Sequence, residues 1–387
     1  MTKAIEKDQK KTVLVVDDAP ANIQIVNSIL KDTYKVRIAT NGAKALELAS
    51  ASPHPDLILL DVIMPGMDGY EVCSRLKTDP TTKDIPVIFL TGQTETSDET
   101  HGFEVGAVDY IHKPFSPAVV QARVQTHLML RGIREQLAQQ LFAIQKELET
   151  ARQIQHSILP REIPRLAGLD IAARYIPMTA VAGDFYDFIV VDDRHIGILV
   201  ADVSGHGMPA ALIASMLKIA LAAQAPKAAD PAEVLLGLNL ALYGKFQHHY
   251  VTAAYVYLDM EKQLLRYAGA GHPPILYWTS STHSVKDVLE NGMFLGRFDF
   301  ATYNAVEMAI SRGDWCLMYT DGIPETTNSN EVQFGDERFR AFLGEQAWPS
   351  ADLLAGGLLA ELSRWSGRAA DEDPEDDVTL VAFRITE

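Results

Sequence analysis

Residues 13–20, VLVVDDAP, run four aliphatic residues into two adjacent aspartates and a proline, close to the start of a 387-residue chain. Such a run bounded by turn formers reads as a buried strand, and charge where it ends is costly unless something pairs with it. Residues 376–383, DDVTLVAF, invert the order and open an equally apolar strand with two aspartates. Carboxylates gathered at a strand border are the oxygen ligands that a hard cation takes. Each stretch therefore marks a candidate metal centre, one near each end of the chain.

Working outward from the first stretch, short apolar strands (TVLVVDD, YKVRIA, DLILLD, PVIFLT and DYIHK) alternate with helical segments starting near Ala19, Gly42, Gly69, Glu95 and Ser116. Five such alternations predict an α/β domain with a doubly wound, five-stranded parallel sheet. Ligands bind at the carboxyl ends of the strands in such sheets. Asp17, Asp18, Asp61, Thr91 and Lys113 all fall there.

Beyond residue 130 the texture changes. Leu130, Leu137, Leu141, Ile144, Leu148, Ala151 and Ile158 recur at spacings of three, four and seven, with Arg134 and Gln155 as polar interruptions and Pro160 as the stop. This predicts a helical linker over 131–160 that pairs as a parallel dimeric coiled coil; the alternative is a single helix lying on a neighbouring domain. After Pro164 the chain becomes strand-rich, with helical blocks at Met208 to Gln224, Pro231 to about Gln247 and Ser350 to Trp365. Strands in runs with segregated helices predict an α+β domain of two antiparallel sheets packed face to face and flanked by helices. The expected organisation is a tail at 1–10, an α/β domain at 11–130, the linker at 131–160 and the α+β domain at 161–387.

The net charge of -17, from 34 basic against 51 acidic residues, disfavours nucleic acid and anionic membrane as partners. Cys73 and Cys316 are far apart and lack metal-type spacing, so they are expected to be core thiols in a reducing cytoplasm. The N-terminal MTKAIEKDQKK has no apolar segment of the signal-peptide kind. The most apolar stretch, from Met208, is broken by Lys218 and ended by Pro226, too short for a membrane span.

The motifs VVDD, LILLDVIMPGMDGYEVCSRLK, IFLTGQ and DYIHKPF together resemble the receiver domain of two-component response regulators. The resemblance implies that Asp61 is phosphorylated by a sensor histidine kinase or phosphotransfer protein. It also implies Mg2+ held by Asp18, Asp61 and the backbone carbonyl of Ile63, with Asp17 in support. Thr91 and Tyr110 would form the switch pair, and Lys113, before a cis Pro114, would sense the phosphate.

In the C-terminal half, VAGDFYD, ADVSGHG, YTDGIPET and EDDVTL set Asp184, Asp202, Asp321, Asp376 and Asp377 beside glycines or strand borders. Glycine permits close backbone approach, and several carboxylates together require counter-charge, which two divalent cations supply while activating a water. With AGAGHPP, GMFLG and the lead-in ARQIQHSILP, these motifs resemble the PPM-type serine/threonine phosphatases of the sporulation and stress-response branch. That resemblance implies two Mn2+ or Mg2+ ions bridged by Asp202. The carbonyl of Val203 would touch one ion and Asp321 and Asp376 the other, with Asp184 holding metal-bound water and Asp377 where asparagine is common. Ala182 and Gly269 depart from the family's usual glycine and asparagine. His206 and His272 are candidate acids, with loop shaping as the alternative reading.

Together these readings describe a cytoplasmic, homodimeric response regulator in which phosphorylation at Asp61 activates a phosphatase. The resemblance implies a phosphorylated anti-sigma-factor antagonist of the STAS fold as substrate, in a partner-switching pathway. A non-catalytic adaptor would be expected to have lost metal aspartates, and all are present.

Overall fold

Strands β1 (Thr12–Val16), β2 (Lys35–Ala39), β3 (Leu57–Asp61), β4 (Val87–Thr91) and β5 (Asp109–His112) pair in the order β2-β1-β3-β4-β5, every neighbour parallel. The computed structural model describes residues 10–92, 102–246, 248–345, 348–368 and 372–387. Aliphatic residues in unbroken runs bury both faces of this sheet, as parallel sheets require. Val13, Val15, Leu57, Leu59, Ile88 and Leu90 pack with residues of helices Pro20–Leu30 and Pro117–Ile158. Leu14, Val16, Ile58, Leu60 and Phe89 pack with residues of Gly42–Ser50 and Gly69–Thr78. The doubly wound sheet expected from the sequence is the observed one; the helix expected near Glu95 begins outside the described residues, which resume in a helical turn at 102–104.

The chain forms two compact units, Met1–Ala143 and Ile144–Glu387, and one helix, Pro117–Ile158, passes from the first into the second. The expected linker lies almost wholly within this helix, which begins in the first unit. Leu130, Leu137, Leu141 and Ile144 are all exposed along it. Gln155 is not an interruption of that apolar seam: it is buried within the second unit.

In the second unit, β6 (Leu169–Ile176), β11 (Ile275–Thr279), β12 (Ser284–Val288), β15 (Trp315–Tyr319) and β16 (Val378–Ile385) form an antiparallel sheet in the order β12-β11-β15-β16-β6. The second sheet runs β13-β10-β9-β8-β7, from β7 (Phe185–Val190), β8 (His195–Val203), β9 (Val251–Asp259), β10 (Leu264–Ala270) and β13 (Asn291–Gly292), with β14 (Val306–Ala309) also on β10. One pairing departs from the expected all-antiparallel pattern: β10 and β13 are parallel over two residues. Period-two alternation builds the layers. Cys316, Met318, Val381 and Phe383 join the core that the two sheets share. Trp315, Leu317, Tyr319 and Leu380 face the other way, onto helices Gly335–Glu345 and Ala351–Ser366. Each fully buried aliphatic or aromatic side chain contributes about 1.5–3 kcal/mol to this packing. Helices Met208–Ala222 and Pro231–Leu242 complete the other core; the second is capped by Asp230, which accepts from the Ala232 and Glu233 N–H groups.

Both cysteines are buried and free. No helix among the described residues is long and apolar enough to cross a membrane.

Candidate functional site

The parallel topology brings the carboxyl ends of β1, β3, β4 and β5 to one edge, and the acidic residues expected there meet. Ligand oxygens of Asp17, Asp18 and Asp61 lie within 4.8 Å of one another, a spacing that one hard cation can bridge. Asp17 is fully buried and heavily bonded: it accepts from the Ala19 N–H at 2.9 Å, from Asn22 Nδ2 at 3.0 Å and from Lys113 Nζ at 2.9 Å. Lys113 Nζ also stands 2.8 Å from Asp61. Burial pushes the Asp61 carboxyl above its ordinary range, while the Lys113 hydrogen bond opposes that shift. Burial likewise pulls the Lys113 ammonium down, but its bonds to Asp61 and Asp17 outweigh burial and raise it.

Thr91 is buried at the end of β4, and the peptide before Pro114 is cis, as expected. Tyr110 is buried between Phe89 and Phe103, at ring distances of 5.5 and 5.2 Å. Ile63 is exposed, and its N–H donates to Asp61. Asp68 caps helix Gly69–Thr78 by accepting from the Glu71 N–H. Gly69 is required by a close approach, since a Cβ there would stand 2.2 Å from the Asp61 carbonyl oxygen.

In the second unit the antiparallel registers bring another acidic set to the end of the sandwich. Asp184 precedes β7, Asp202 is the penultimate residue of β8, Asp321 follows β15 by one residue, and Asp376 and Asp377 precede β16. Asp184 is buried and accepts from Thr320 Oγ1 at 2.7 Å. Burial, with the nearby Asp202, pushes its carboxyl well above the usual range. Burial and then Asp321, Asp376, Asp377 and Glu325 push Asp202 to about 7. Crowded carboxylates of this kind are what divalent cations neutralise, so the donor set fits metal. Among the described residues no three of these carboxylates close to the 4.8 Å of the first site.

Asp377, a candidate ligand beside Asp376, also bonds to the backbone. Its two oxygens accept from the Met178 and Gly183 N–H groups, both at 2.7 Å, so it clamps the loop that leads to Asp184. The backbone after Asp321 fits closely against this turn, and a Cβ on Gly322 would meet the Asp377 carbonyl oxygen at 2.1 Å. The Val203 carbonyl oxygen faces Gly183, where a Cβ would lie 2.7 Å from it.

The two histidines separate. His206 is exposed beside Gly207. His272 is buried, with Nε2 2.9 Å from the Tyr319 carbonyl and Nδ1 3.0 Å from Thr252 Oγ1. A carbonyl only accepts, which assigns the proton to Nε2, and burial lowers the imidazole to about 4. His272 is therefore a neutral tie between strands. Its backbone is bracketed in turn by the Asn291 side chain, which occupies the space a side chain at Gly269 would need.

Three residues near the second site carry no functional mark in the sequence. Thr320 orients Asp184, and its position in YTDG, directly before Asp321, was the available signal. Glu325 lies close enough for Asp321 and Asp376 to add to the burial that raises its carboxyl. Gln155 pairs through both ends of its amide with the Ala182 backbone.

Comparison with known proteins agrees with this geometry. The family model for the response regulator receiver domain matches residues 13–125, and that for stage II sporulation protein E matches residues 192–386. Phosphoserine phosphatase RsbU of Bacillus subtilis is 32% identical over 261 residues, covering 67% of this chain and 74% of that protein. A probable cyclic di-GMP phosphodiesterase of Vibrio cholerae is 46% identical over 129 residues, and this chain spans only 29% of its length. Among solved structures, the SiaA-PP2C domain of Pseudomonas aeruginosa shares the fold over 63% of this chain and 98% of its own, with a TM-score of 0.56 at 24% identity. A receiver domain that precedes a PPM-type catalytic domain sets the assignment: the chain belongs to the stage II sporulation protein E family of metal-dependent serine/threonine protein phosphatases, as a receiver-bearing member.

Proposed function

We propose that this chain is a phosphorylation-controlled phosphatase that removes phosphate from serine or threonine of a partner protein. The observation that carries the reading is the carboxylate set of Asp184, Asp202, Asp321 and Asp376, which enters no ion pair with a basic side chain among the described residues. In this reading Asp202, the Val203 carbonyl, Asp321 and Asp376 hold two Mn2+ or Mg2+ ions. Such ions, when bound, supply a hydroxide-like nucleophile at neutral pH and a clamp for phosphate oxygens. Asp184, fixed by Thr320, orients the attacking water toward phosphorus. Asp377 positions the Asp184 loop.

In the receiver, a carboxylate oxygen of Asp61 attacks the phosphorus of a phosphohistidine donor on a sensor kinase or phosphotransfer protein, and the P–N bond breaks. Lys113 Nζ, already paired with Asp61, follows the charge onto the acyl phosphate, and Thr91 hydrogen-bonds it. Asp17, Asp18, Asp61 and the Ile63 carbonyl accommodate the accompanying Mg2+. Thr91 and Tyr110 report the change, and the exposed apolar seam at Leu130, Leu137, Leu141 and Ile144 pairs with a second copy as a coiled coil. The substrate in this reading is a phosphorylated anti-sigma-factor antagonist of the STAS fold, consistent with the similarity to a phosphoserine phosphatase. The domain limits that fit it are 11–130, 131–160 and 161–387.

The test is Mn2+-dependent phosphate release by the purified chain from a phosphorylated STAS-fold protein, with a phosphoserine peptide and Asp321→Asn as controls. Release that requires Mn2+ and is lost in D321N is expected. A folded, metal-loaded chain that releases no phosphate from either substrate would sink the reading.

A further inference from the structure

We propose that Gln155 is a positioning residue for the phosphatase site, holding the loop that carries Asp184 through a two-way hydrogen bond to Ala182. The inference rests on the reading of Asp184 and Asp202 as site residues. Gln155 lies near the end of helix Pro117–Ile158 and is only 6% exposed, unusual for so polar a side chain. Its Nε2 donates to the Ala182 carbonyl at 2.6 Å and its Oε1 accepts from the Ala182 N–H at 3.0 Å. One side chain thus satisfies the whole hydrogen-bonding capacity of a buried backbone residue much as a neighbouring strand would.

The two residues after Ala182 make this contact consequential. The Gly183 N–H donates to Asp377, and Asp184 accepts from Thr320. Three consecutive residues are therefore held from three different places: the long helix, the segment just before β16 and the segment after β15. The loop also lies directly on the end of β8, because a Cβ at Gly183 would stand 2.7 Å from the Val203 carbonyl oxygen. If the Gln155 amide is lost, the Ala182 N–H and carbonyl must find other partners, and any shift that lets them do so reaches Asp184 within two residues. The same loop touches the Val203 carbonyl, a metal ligand in this reading, and groups behind metal ligands typically tune affinity.

The test uses the full chain with Gln155→Leu, which removes both bonds at similar volume, and Gln155→Glu, which keeps only the acceptor. Mn2+ binding is read by electron paramagnetic resonance of the free ion. Hydrolysis of p-nitrophenyl phosphate is measured against Mn2+ concentration, and melting curves report the folded fraction. Asp61→Asn assigns the binding contributed by the receiver, and Asp202→Asn that of the phosphatase site. The expected result is about a tenfold or greater rise in the Mn2+ concentration needed for binding and for half-maximal turnover in Q155L. Excess Mn2+ should restore most of the turnover.

Unchanged Mn2+ binding would overturn the proposal, as would turnover reduced at every Mn2+ concentration in proportion to the folded fraction. If D202N loses Mn2+ while Q155L binds it normally, only the role of Gln155 falls. If D202N keeps the phosphatase-site Mn2+, the reading of the site falls and the proposal with it. Should Q155L not fold, Q155E decides by the same readings.

Discussion

Lys113 stands 2.9 Å from Asp17 and 2.8 Å from Asp61, whereas Asp184, Asp202, Asp321 and Asp376 share their end of the sandwich without an ion-paired basic side chain among the described residues. Both sets are carboxylates at strand ends, yet the first carries its own cation and the second pairs with none among the described residues. The receiver pocket keeps its shape by an internal ion pair and by the Ala19 and Asn22 donors on Asp17. The phosphatase set is held from outside, by Thr320 and by the Asp377 clamp, and its mutual repulsion is left for bound cations to offset. Metal should therefore matter to both stability and chemistry in the second unit, and mainly to phosphoryl transfer in the first.

The sharpest way to break this contrast is Asp202→Asn, which removes the carboxylate proposed to bridge. Turnover on p-nitrophenyl phosphate should fall by about 10³-fold, equivalent to about 4 kcal/mol of transition-state stabilisation. A loss below tenfold would remove Asp202 from the centre of the account. Next is the cation itself. Mn2+ at about 100 times its dissociation constant should stabilise the second unit by about 2.7 kcal/mol over the chelated protein. Calorimetry with two resolved transitions would show it, and an equal or larger shift of the receiver transition would reverse the comparison.

Lys113→Ala leaves Asp17 and Asp61 facing each other, and should cost the receiver about 1–3 kcal/mol in denaturant unfolding. Added Mg2+ should recover part of that loss. His272→Ala strands the Tyr319 carbonyl and should cost the second unit about 1–3 kcal/mol. The shape of its pH–rate profile should stay that of the unmodified enzyme; loss of a limb would reinstate His272 as an acid.

The sequence was most legible where long apolar runs meet aspartate and glycine. β1, β3, β8 and β16 are such runs, and their flanking acids point to both sites directly. The strands β12 and β14 were not foreseen because they are short and partly exposed, with polar residues at many positions and no apolar run to mark them. Helix Gly335–Glu345 hides behind its charge, and only Phe339 and Leu343 are fully committed to the core. At the site, ligand-type residues were visible but their supports were not. Gln155 acts across 27 positions and Thr320 across 136, through hydrogen bonds that no local spacing encodes. Gln155 also sits in register with an apolar seam, which disguised a buried contact as an interruption. Asp377 shows the converse: its type and neighbour mark it in the sequence, while the two backbone N–H groups it accepts do not.

In the proposed control scheme the state of Asp61 sets the rate at the second site. Its most direct measurement is Mn2+-dependent turnover by the full chain with and without beryllofluoride, which mimics the phosphorylated aspartate, alongside Asp61→Asn. The account predicts that beryllofluoride raises turnover in the unmodified chain and has no effect in D61N. Equal turnover with and without beryllofluoride, in a protein shown to bind it at Asp61, would contradict control of the phosphatase by its receiver.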